Sequence, residues 1–157
     1  MKKKIVILGS TGSIGKTLLN IISNDKKNFE VVLLTANKNY KLLLKQAKKF
    51  KVKKVILSDK QTFQKNKSIF LNNKIKIFND FENINQILKN KIDYTMSAIV
   101  GIDGLYPTIN LIKYSKKIAI ANKESIICAW NLIKKELNKY KTNFVPVDSE
   151  HFSIWYS

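Results

Sequence analysis

The stretch ILGSTGSIGK (residues 7–16) places three glycines at intervals of three between an apolar run and a helical pattern. Residues 4–9 are typical of a buried strand, and residues 13–25 carry apolar side chains at the spacing of an amphipathic helix. Glycines let a phosphate approach backbone N–H groups, and the helix that follows offers its positive end. The spacing differs from the usual G-x-G-x-x-G fingerprint, so a tight turn without a ligand is an open alternative. Its place after the first strand, with Ser and Thr interleaved, favours a dinucleotide site.

Strand and helix patterns alternate along the whole chain. Strands are predicted at residues 4–9, 29–34, 55–57, 75–78, 92–100, 118–121 and 144–147. Helices are predicted at residues 13–25, 40–50, from 58 or 59 to 71, 80–88 with Asp80 as the cap, 105–114 and 123–140. No hairpin signal interrupts this order, which predicts an α/β fold: a doubly wound, mostly parallel sheet with helices on both faces. We expect residues 1–157 to form one domain.

Composition excludes several classes of protein. The chain has 157 residues, 45% of them hydrophobic, which is enough for a core. It contains no apolar run of about eighteen residues and no secretory signal, so no membrane span is expected and the cytoplasm is the predicted location. One cysteine, Cys128, excludes an internal disulfide framework. Because Cys128 stands in an apolar stretch, it is predicted to be a buried small hydrophobe.

The formal charge of +18 raises the alternative of a nucleic-acid-binding module. All 29 basic residues are lysine, however, and arginine is the usual reader of guanine edges and phosphates. The lysines are scattered and accompany abundant Asn and Ile, which resembles a codon bias toward A and T. We therefore expect weak, nonspecific attraction to polyanions at low salt and no specific nucleic-acid partner.

Polar or glycine-rich clusters follow five of the predicted strands. They occupy residues 9–15, 35–39, 97–104, 122–125 and 148–151. The carboxyl ends of parallel strands share one edge of the sheet, where ligands bind in doubly wound folds. The sequence therefore predicts one binding region at this edge.

The second of these clusters indicates which dinucleotide binds. NAD sites commonly place an acid here to bond the ribose 2′-hydroxyl, but residues 35–39 (TANKN) contain none. Lys38 stands between two asparagines and would attract a 2′-phosphate. The cluster favours NADPH over NADH, although chance places lysine at many loop positions of this chain.

The last cluster, residues 148–151, holds two scarce carboxylates one residue apart. Asp148 and Glu150, with the hydroxyl of Ser149 between them, could hold Mg²⁺ or Mn²⁺, which prefer oxygen ligands. A helix cap with a first-turn acid explains the same residues equally well. A lone histidine is more often structural than catalytic, but the place of His151, the single histidine, beside the two acids somewhat favours a functional role.

Four motifs together resemble the 1-deoxy-D-xylulose 5-phosphate reductoisomerase family: GSTGSIG (9–15), SAIVGIDGL (97–105), ANKES (121–125) and PVDSEH (146–151). The resemblance implies NADPH- and metal-dependent isomerisation and reduction of a sugar phosphate, giving 2-C-methyl-D-erythritol 4-phosphate for non-mevalonate isoprenoid synthesis. It also implies a homodimer for the full-length enzyme. It spans this whole chain but only the amino-terminal, NADPH-binding part of the family enzyme.

The resemblance also implies roles for individual residues. The residues near the cofactor pyrophosphate would be Thr11, Gly12, Ser13 and Ile14. Those near its 2′-phosphate would be Asn37, Lys38 and Asn39. Those near its ribose and nicotinamide would be Asn122 and Glu124. Asn37 stands where the family typically has glycine. Lys123 and Ser149 would contact substrate, and Asp148 and Glu150 would bind the metal, Glu150 also touching substrate.

The resemblance implies that the family's catalytic and carboxyl-terminal domains are absent from these 157 residues. It also implies that the third acidic metal ligand, the substrate-phosphate site and the mobile lid would lie beyond Ser157. The expectation is therefore a chain that binds NADPH but turns over little or no substrate by itself. Another NADP-dependent reductase domain is the alternative enzyme interpretation.

Overall fold

The computed structural model describes residues 1–147, and residues 148–157 lie outside the described part. The strands are β1 (Lys3–Leu8), β2 (Phe29–Ala36), β3 (Lys54–Leu57), β4 (Lys76–Phe78), β5 (Ile92–Ser97), β6 (Ser115–Ile120) and β7 (Asn143–Pro146). The helices are α1 (Ser13–Asn24), α2 (Tyr40–Lys49), α3 (Lys60–Asn72), α4 (Ile84–Ile87), α5 (Leu105–Ile112) and α6 (Lys123–Tyr140). A 3₁₀ turn, Ile102–Gly104, precedes α5.

The strands form one sheet in the order β4-β3-β2-β1-β5-β6-β7, and every neighbouring pair is parallel. This confirms the predicted doubly wound α/β fold. The order reverses at β1, which pairs with β2 on one side and β5 on the other. A crevice opens at such a switch point, outside the carboxyl ends of the strands, and this is where the glycine turn lies.

Alternate residues of β1 serve two separate cores. Ile5 and Ile7 pack in the cluster that α1, α2 and α3 cover, whereas Val6 and Leu8 pack in the cluster under α4, α5 and α6. All four side chains are at most 3% exposed. A strand covered on both faces needs a continuous apolar run, which is why the start of this chain shows no polar alternation.

The start of α4 differs from the prediction. The helix begins at Ile84 rather than at Asp80, and Asn83 precedes it. The Asp80 carboxylate accepts the N–H of Glu82 at 3.0 Å, which closes a local turn of the kind that Asp favours. The side chain between them, Phe81, is buried, so this segment packs as a loop.

The predicted strand over residues 92–100 was too long at its carboxyl end, because β5 ends at Ser97. Ala98 still donates its N–H to the Leu8 carbonyl, but the chain then leaves the sheet. The carbonyls of Ile99 and Gly101 are bound by the side chain of Asn122 instead of by a neighbouring strand.

The prediction for Cys128 was wrong, because its side chain is exposed. α6 turns Ile133 and Leu137 toward the core, while Ile127, beside the cysteine, is 78% exposed. The apolar run around Cys128 therefore includes the outer surface of the helix as well as the core side. Among residues 1–147, no helix is long and apolar enough to cross a membrane.

Candidate functional site

Two of the three glycines in the turn are required by the fold. Gly9 has φ +78°, and a Cβ there would lie 2.6 Å from the Ala98 carbonyl oxygen. Gly15 has an ordinary φ, but its Cβ would lie 2.5 Å from the Gly9 carbonyl oxygen and 2.6 Å from Ser10 Cα. Any larger residue at either position would force the turn away from β5 or from α1.

Gly12 is different, because nothing in the described part of the protein requires it to be glycine. Its φ of −75° and ψ of 176° suit any residue, and its Cβ would meet only the Gly9 carbonyl oxygen, at 3.4 Å. Gly12 precedes α1, which like α4 and α5 receives no side-chain cap, whereas Asn39, Asp59 and Asn122 cap the other three helices. The first N–H groups of a helix need partners from outside it. The open space over Gly12 and these N–H groups form a cradle that fits a phosphate.

A buried hydrogen-bond network holds the glycine turn in place. Ser10 is fully buried, and its hydroxyl lies 2.8 Å from Oε1 of Gln46, while Nε2 of Gln46 donates to the Ser10 carbonyl at 2.8 Å. The Gly9 N–H donates to the Thr35 hydroxyl oxygen at 2.9 Å, and the Ser10 N–H to the Thr35 carbonyl at 2.8 Å. The turn is therefore fixed to β2 and α2 before any ligand binds.

A cleft with a volume of about 740 Å³ opens at the switch point. Its floor is the glycine turn and the ends of β2 and β5. One wall is the loop after β4, residues 79–82, and the other is the segment from Ile99 to Pro107. Of the residues predicted to bind cofactor, the cleft brings together Thr11, Gly12 and Asn37.

A smaller cleft, of about 330 Å³, lies on the other side of the Ala98–Val100 loop, which lines both. It brings together four more predicted residues, Ile14, Asn122, Lys123 and Glu124. Val147, the last described residue, also lines it. The two clefts flank one loop, and the glycine turn with the start of α1 borders both, through Thr11 and Gly12 on one side and Ile14 on the other.

The side chain of Asn122 is buried and uses both ends of its amide in hydrogen bonds. Its Oδ1 accepts the Ser125 N–H at 2.8 Å, and its Nδ2 donates to the carbonyls of Ile99 and of Gly101, the latter at 2.6 Å. Gly104 packs so closely on Nδ2 that a Cβ there would collide with it. Asn122 therefore fixes the loop between the clefts to the start of α6.

Lys38, Asn39 and Ser13 line neither cleft. Asn39 uses Oδ1 to accept the Leu42 N–H at 3.1 Å and so caps α2. Lys38 lies near Asp59, whose pKa is lowered mainly by hydrogen bonds from Thr62 and, to a smaller extent, by the lysine charge. The sequence predicted Ser58 or Asp59 as the cap of α3, and Asp59 is the cap, but its proximity to Lys38 was not predicted, because Asp59 follows β3 whereas Lys38 follows β2.

Sequence reasoning also missed the residues that form the walls of the larger cleft. Asp80, Phe81 and Glu82 line it from the loop after β4, and Asp103 and Tyr106 from the opposite wall. The rule that strand ends gather at one edge applies to β4 as well, so the first three could have been found. They were not predicted as site residues, because residues 80–88 were predicted to form a helix and not a loop.

The predicted metal and substrate residues Asp148, Ser149 and Glu150, together with His151, lie outside the described residues. Within residues 1–147, no group of three or more His, Cys, Asp or Glu side chains is placed to hold a metal ion. The metal site stays a prediction from the sequence.

The model of the 1-deoxy-D-xylulose 5-phosphate reductoisomerase family matches residues 5–130, which include the glycine turn and the loop between the clefts. The chain belongs to this family. The resemblance seen in the four sequence motifs is thereby confirmed.

Individual relatives agree with this assignment. The 1-deoxy-D-xylulose 5-phosphate reductoisomerase of Pelagibacter ubique is 63% identical over 155 residues, which are 98% of this chain and 40% of that protein. The solved reductoisomerase of Zymomonas mobilis in complex with NADPH superposes with a TM-score of 0.87 at 32% identity, covering 96% of this chain and 40% of that one. A DOX-P reductoisomerase solved with NADPH, fosmidomycin and magnesium gives 0.86 at 30% identity, covering 95% and 37%. The chain thus spans about 40% of the length of these relatives.

Proposed function

We propose that this chain is the NADPH-binding part of a 1-deoxy-D-xylulose 5-phosphate reductoisomerase. The whole protein would convert 1-deoxy-D-xylulose 5-phosphate to 2-C-methyl-D-erythritol 4-phosphate for isoprenoid synthesis, using NADPH and Mg²⁺ or Mn²⁺. Family membership supports this function, as do solved relatives that contain NADPH and magnesium. A cytoplasmic homodimer without a specific nucleic-acid partner belongs to the same proposal.

The observation that carries the cofactor assignment is the open cradle over Gly12. A residue that the fold does not require to be glycine, at a helix start without a side-chain cap, is explained if a phosphate occupies that space. Thr11, Gly12, Ser13 and Ile14 would hold the pyrophosphate. Thr11 and Gly12 line the larger cleft and Ile14 the smaller, so the pyrophosphate would lie where the two clefts meet.

The adenosine half of the cofactor would then occupy the larger cleft, with Asn37, Lys38 and Asn39 near its 2′-phosphate. The nicotinamide half would point into the smaller cleft, beside Asn122 and Glu124. Bound NADPH supplies a hydride; the protein supplies position and electrostatics. Lys123, exposed at the start of α6, would place its positive charge next to the substrate oxygens.

Asp148 and Glu150 would bind the divalent metal, and Ser149 and Glu150 would contact substrate. They follow Val147, which lines the smaller cleft, so the chain carries them onward from the nicotinamide side. A metal ion held there would supply Lewis-acid polarisation of a substrate carbonyl. We further propose that the 157 residues alone bind NADPH and turn over little or no substrate.

The test is calorimetric titration of the 157-residue chain with NADPH and with NADH at about 0.15 M salt, where nonspecific attraction to lysines is screened. We expect NADPH to bind roughly tenfold more tightly, a difference of about 1.4 kcal/mol. Lys38→Gln should remove most of that preference, whereas Lys41→Gln, an exposed lysine one turn further on, should keep it. Absence of NADPH binding would contradict the proposal for this chain.

A second assay addresses turnover. The purified chain, supplied with NADPH, Mn²⁺ and 1-deoxy-D-xylulose 5-phosphate, should show no substrate-dependent loss of absorbance at the NADPH wavelength. Robust oxidation of NADPH would show that the described clefts and the ten residues after them suffice for catalysis.

A further inference from the structure

The larger cleft excludes lysine, although lysine dominates the chain. Lysine makes up 29 of the 157 residues, so a random set of 18 would hold about three. The 18 described residues that line the cleft include no lysine and three acids, Asp80, Glu82 and Asp103. A strongly basic chain therefore surrounds a cleft whose own lining is acidic.

Among the described residues, none of these three carboxylates forms an ion pair. The one ion pair within residues 1–147 joins Lys116 to Asp93 and lies elsewhere. Carboxylates repel phosphate, so the phosphates of a dinucleotide would lie at the glycine turn and the start of α1 and not beside Asp80, Glu82 and Asp103. What fits inside is a neutral group that donates hydrogen bonds.

The loop after β4 presents two of these carboxylates on exposed side chains, one on each side of a buried residue. Phe81 is 6% exposed and anchors the loop in the core beneath the cleft, with Asp80 and Glu82 on either side of it. The Asp80 carboxylate accepts the Glu82 N–H with Oδ1, which leaves Oδ2 without a partner among the described residues. The side chain of Glu82 makes no hydrogen bond to described residues either, so both carboxylates can accept from a ligand.

The remaining walls are suited to a flat ring. Ile99, Ile102 and Tyr106 line the wall opposite Asp80 and Glu82, the wall that also carries Asp103, and Ile102 and Tyr106 are each more than half exposed. Apolar and aromatic walls with a few placed polar groups are the usual composition of a site for an organic ring.

We infer that Asp80 and Glu82 select the adenine base of the dinucleotide, their carboxylates accepting hydrogen bonds from its exocyclic amino group. The inference rests on the proposed NADPH function and adds to it two specificity-determining residues. A base with a carbonyl in place of the amino group turns an acceptor toward the carboxylates and is rejected. The same carboxylates repel phosphate, so the uncharged base and not a phosphate would lie beside them.

The probe that tests this is the hypoxanthine analogue of NADPH, in which the adenine amino group is replaced by a carbonyl oxygen. Both dinucleotides are titrated into the 157-residue chain at about 0.15 M salt. We expect the wild-type chain to bind NADPH about fivefold to tenfold more tightly than the analogue, as one charge-assisted hydrogen bond in a partly exposed site allows.

The variant Asp80→Asn/Glu82→Gln should bring this ratio close to one, because an amide can donate to a carbonyl as well as accept from an amine. The amide oxygen introduced by Asp80→Asn can still accept the N–H two residues on, so the loop is expected to keep its fold, which a thermal melt checks. Neutralising two acids strengthens binding of any anion, but the ratio of the two affinities cancels that effect. Glu30→Gln, at the opposite edge of the sheet, is the control and should keep the wild-type ratio.

The outcomes separate this inference from the function beneath it. A wild-type chain that binds neither dinucleotide contradicts the proposed function. A wild-type chain that binds both equally, or a double variant that keeps the preference for NADPH, leaves the function standing and overturns the role of Asp80 and Glu82.

Discussion

The glycine turn offers a matched pair of substitutions that separates folding from binding. In Gly15→Ala the new methyl group would lie 2.5 Å from the Gly9 carbonyl oxygen and 2.6 Å from Ser10 Cα, roughly 1 Å inside ordinary contact. Both atoms belong to a backbone that the buried Ser10–Gln46 network holds, so relief requires the turn to move. In Gly12→Ala the nearest atom lies at 3.4 Å, which is ordinary contact.

The two substitutions should therefore differ sharply in stability. Overpacking against backbone costs up to about 3 kcal/mol, and replacing glycine within a helix returns about 1 kcal/mol, so Gly15→Ala should lose about 2 kcal/mol. For a chain of this length that lowers the melting temperature by about 4–8 °C. Gly12→Ala should stay within about 0.5 kcal/mol of the wild type.

For NADPH affinity, the loss relative to the loss of stability should be larger in Gly12→Ala than in Gly15→Ala. Gly12→Ala places a methyl group where the phosphate would lie, so its affinity for NADPH should fall at least tenfold, or about 1.4 kcal/mol, in a fully folded chain. Thermal unfolding followed by circular dichroism and calorimetric titration measure the two effects. Equal stability of the two variants, or wild-type NADPH affinity in Gly12→Ala, would refute the division of roles among the glycines.

Three further changes test other parts of the structure. Asn122→Asp keeps the cap of α6 but turns a carboxylate oxygen toward two carbonyls. Urea unfolding should therefore show a free energy of unfolding lower by about 2–4 kcal/mol. The control is Asn39→Asp, a helix cap without those contacts, which should be nearly neutral. The pKa of Asp59 lies below its ordinary 3.8, mainly because of hydrogen bonds from Thr62. The stability that Asp59 contributes is therefore complete above pH 3.8 and is lost as the pH falls through the lowered pKa. In Asp59→Asn the melting temperature should change less with pH over that range. The Cys128 thiol should react with a disulfide reagent in the native chain at a rate close to that of the unfolded chain, and protection would contradict its exposure.

The amphipathic and apolar patterns were sufficient to predict the sheet and most helices. α6 and α3 match their predicted starts, and the predicted alternation gives the observed parallel order. The errors arose where the local sequence is compatible with more than one structure. Asp80 can cap a helix or close its own turn, and the burial of Phe81 favours the turn. Cys128 lies in an apolar run, but periodicity over a few residues does not say which side of a helix the core covers.

The candidate site was predicted in part. The strand-end rule selected the glycine turn, the loop after β5 and the start of α6, and the structure places them around two clefts that share one loop. It did not reveal that Asn122 uses its side chain to hold that loop. Hydrogen bonds across more than twenty positions of sequence have no local pattern from which they could be inferred.

The sequence by itself determined the fold class, the family and the edge of the sheet where the clefts open, because each depends on periodicity, on short motifs or on the rule that parallel strands end together. Only the tertiary structure decided which glycine is open to a ligand, which amide is already occupied, and that the larger of the two clefts holds three acids and no lysine among its described lining. Those properties depend on distances between segments that are remote in sequence. They arise when the strands come together, and no stretch of the chain carries them alone.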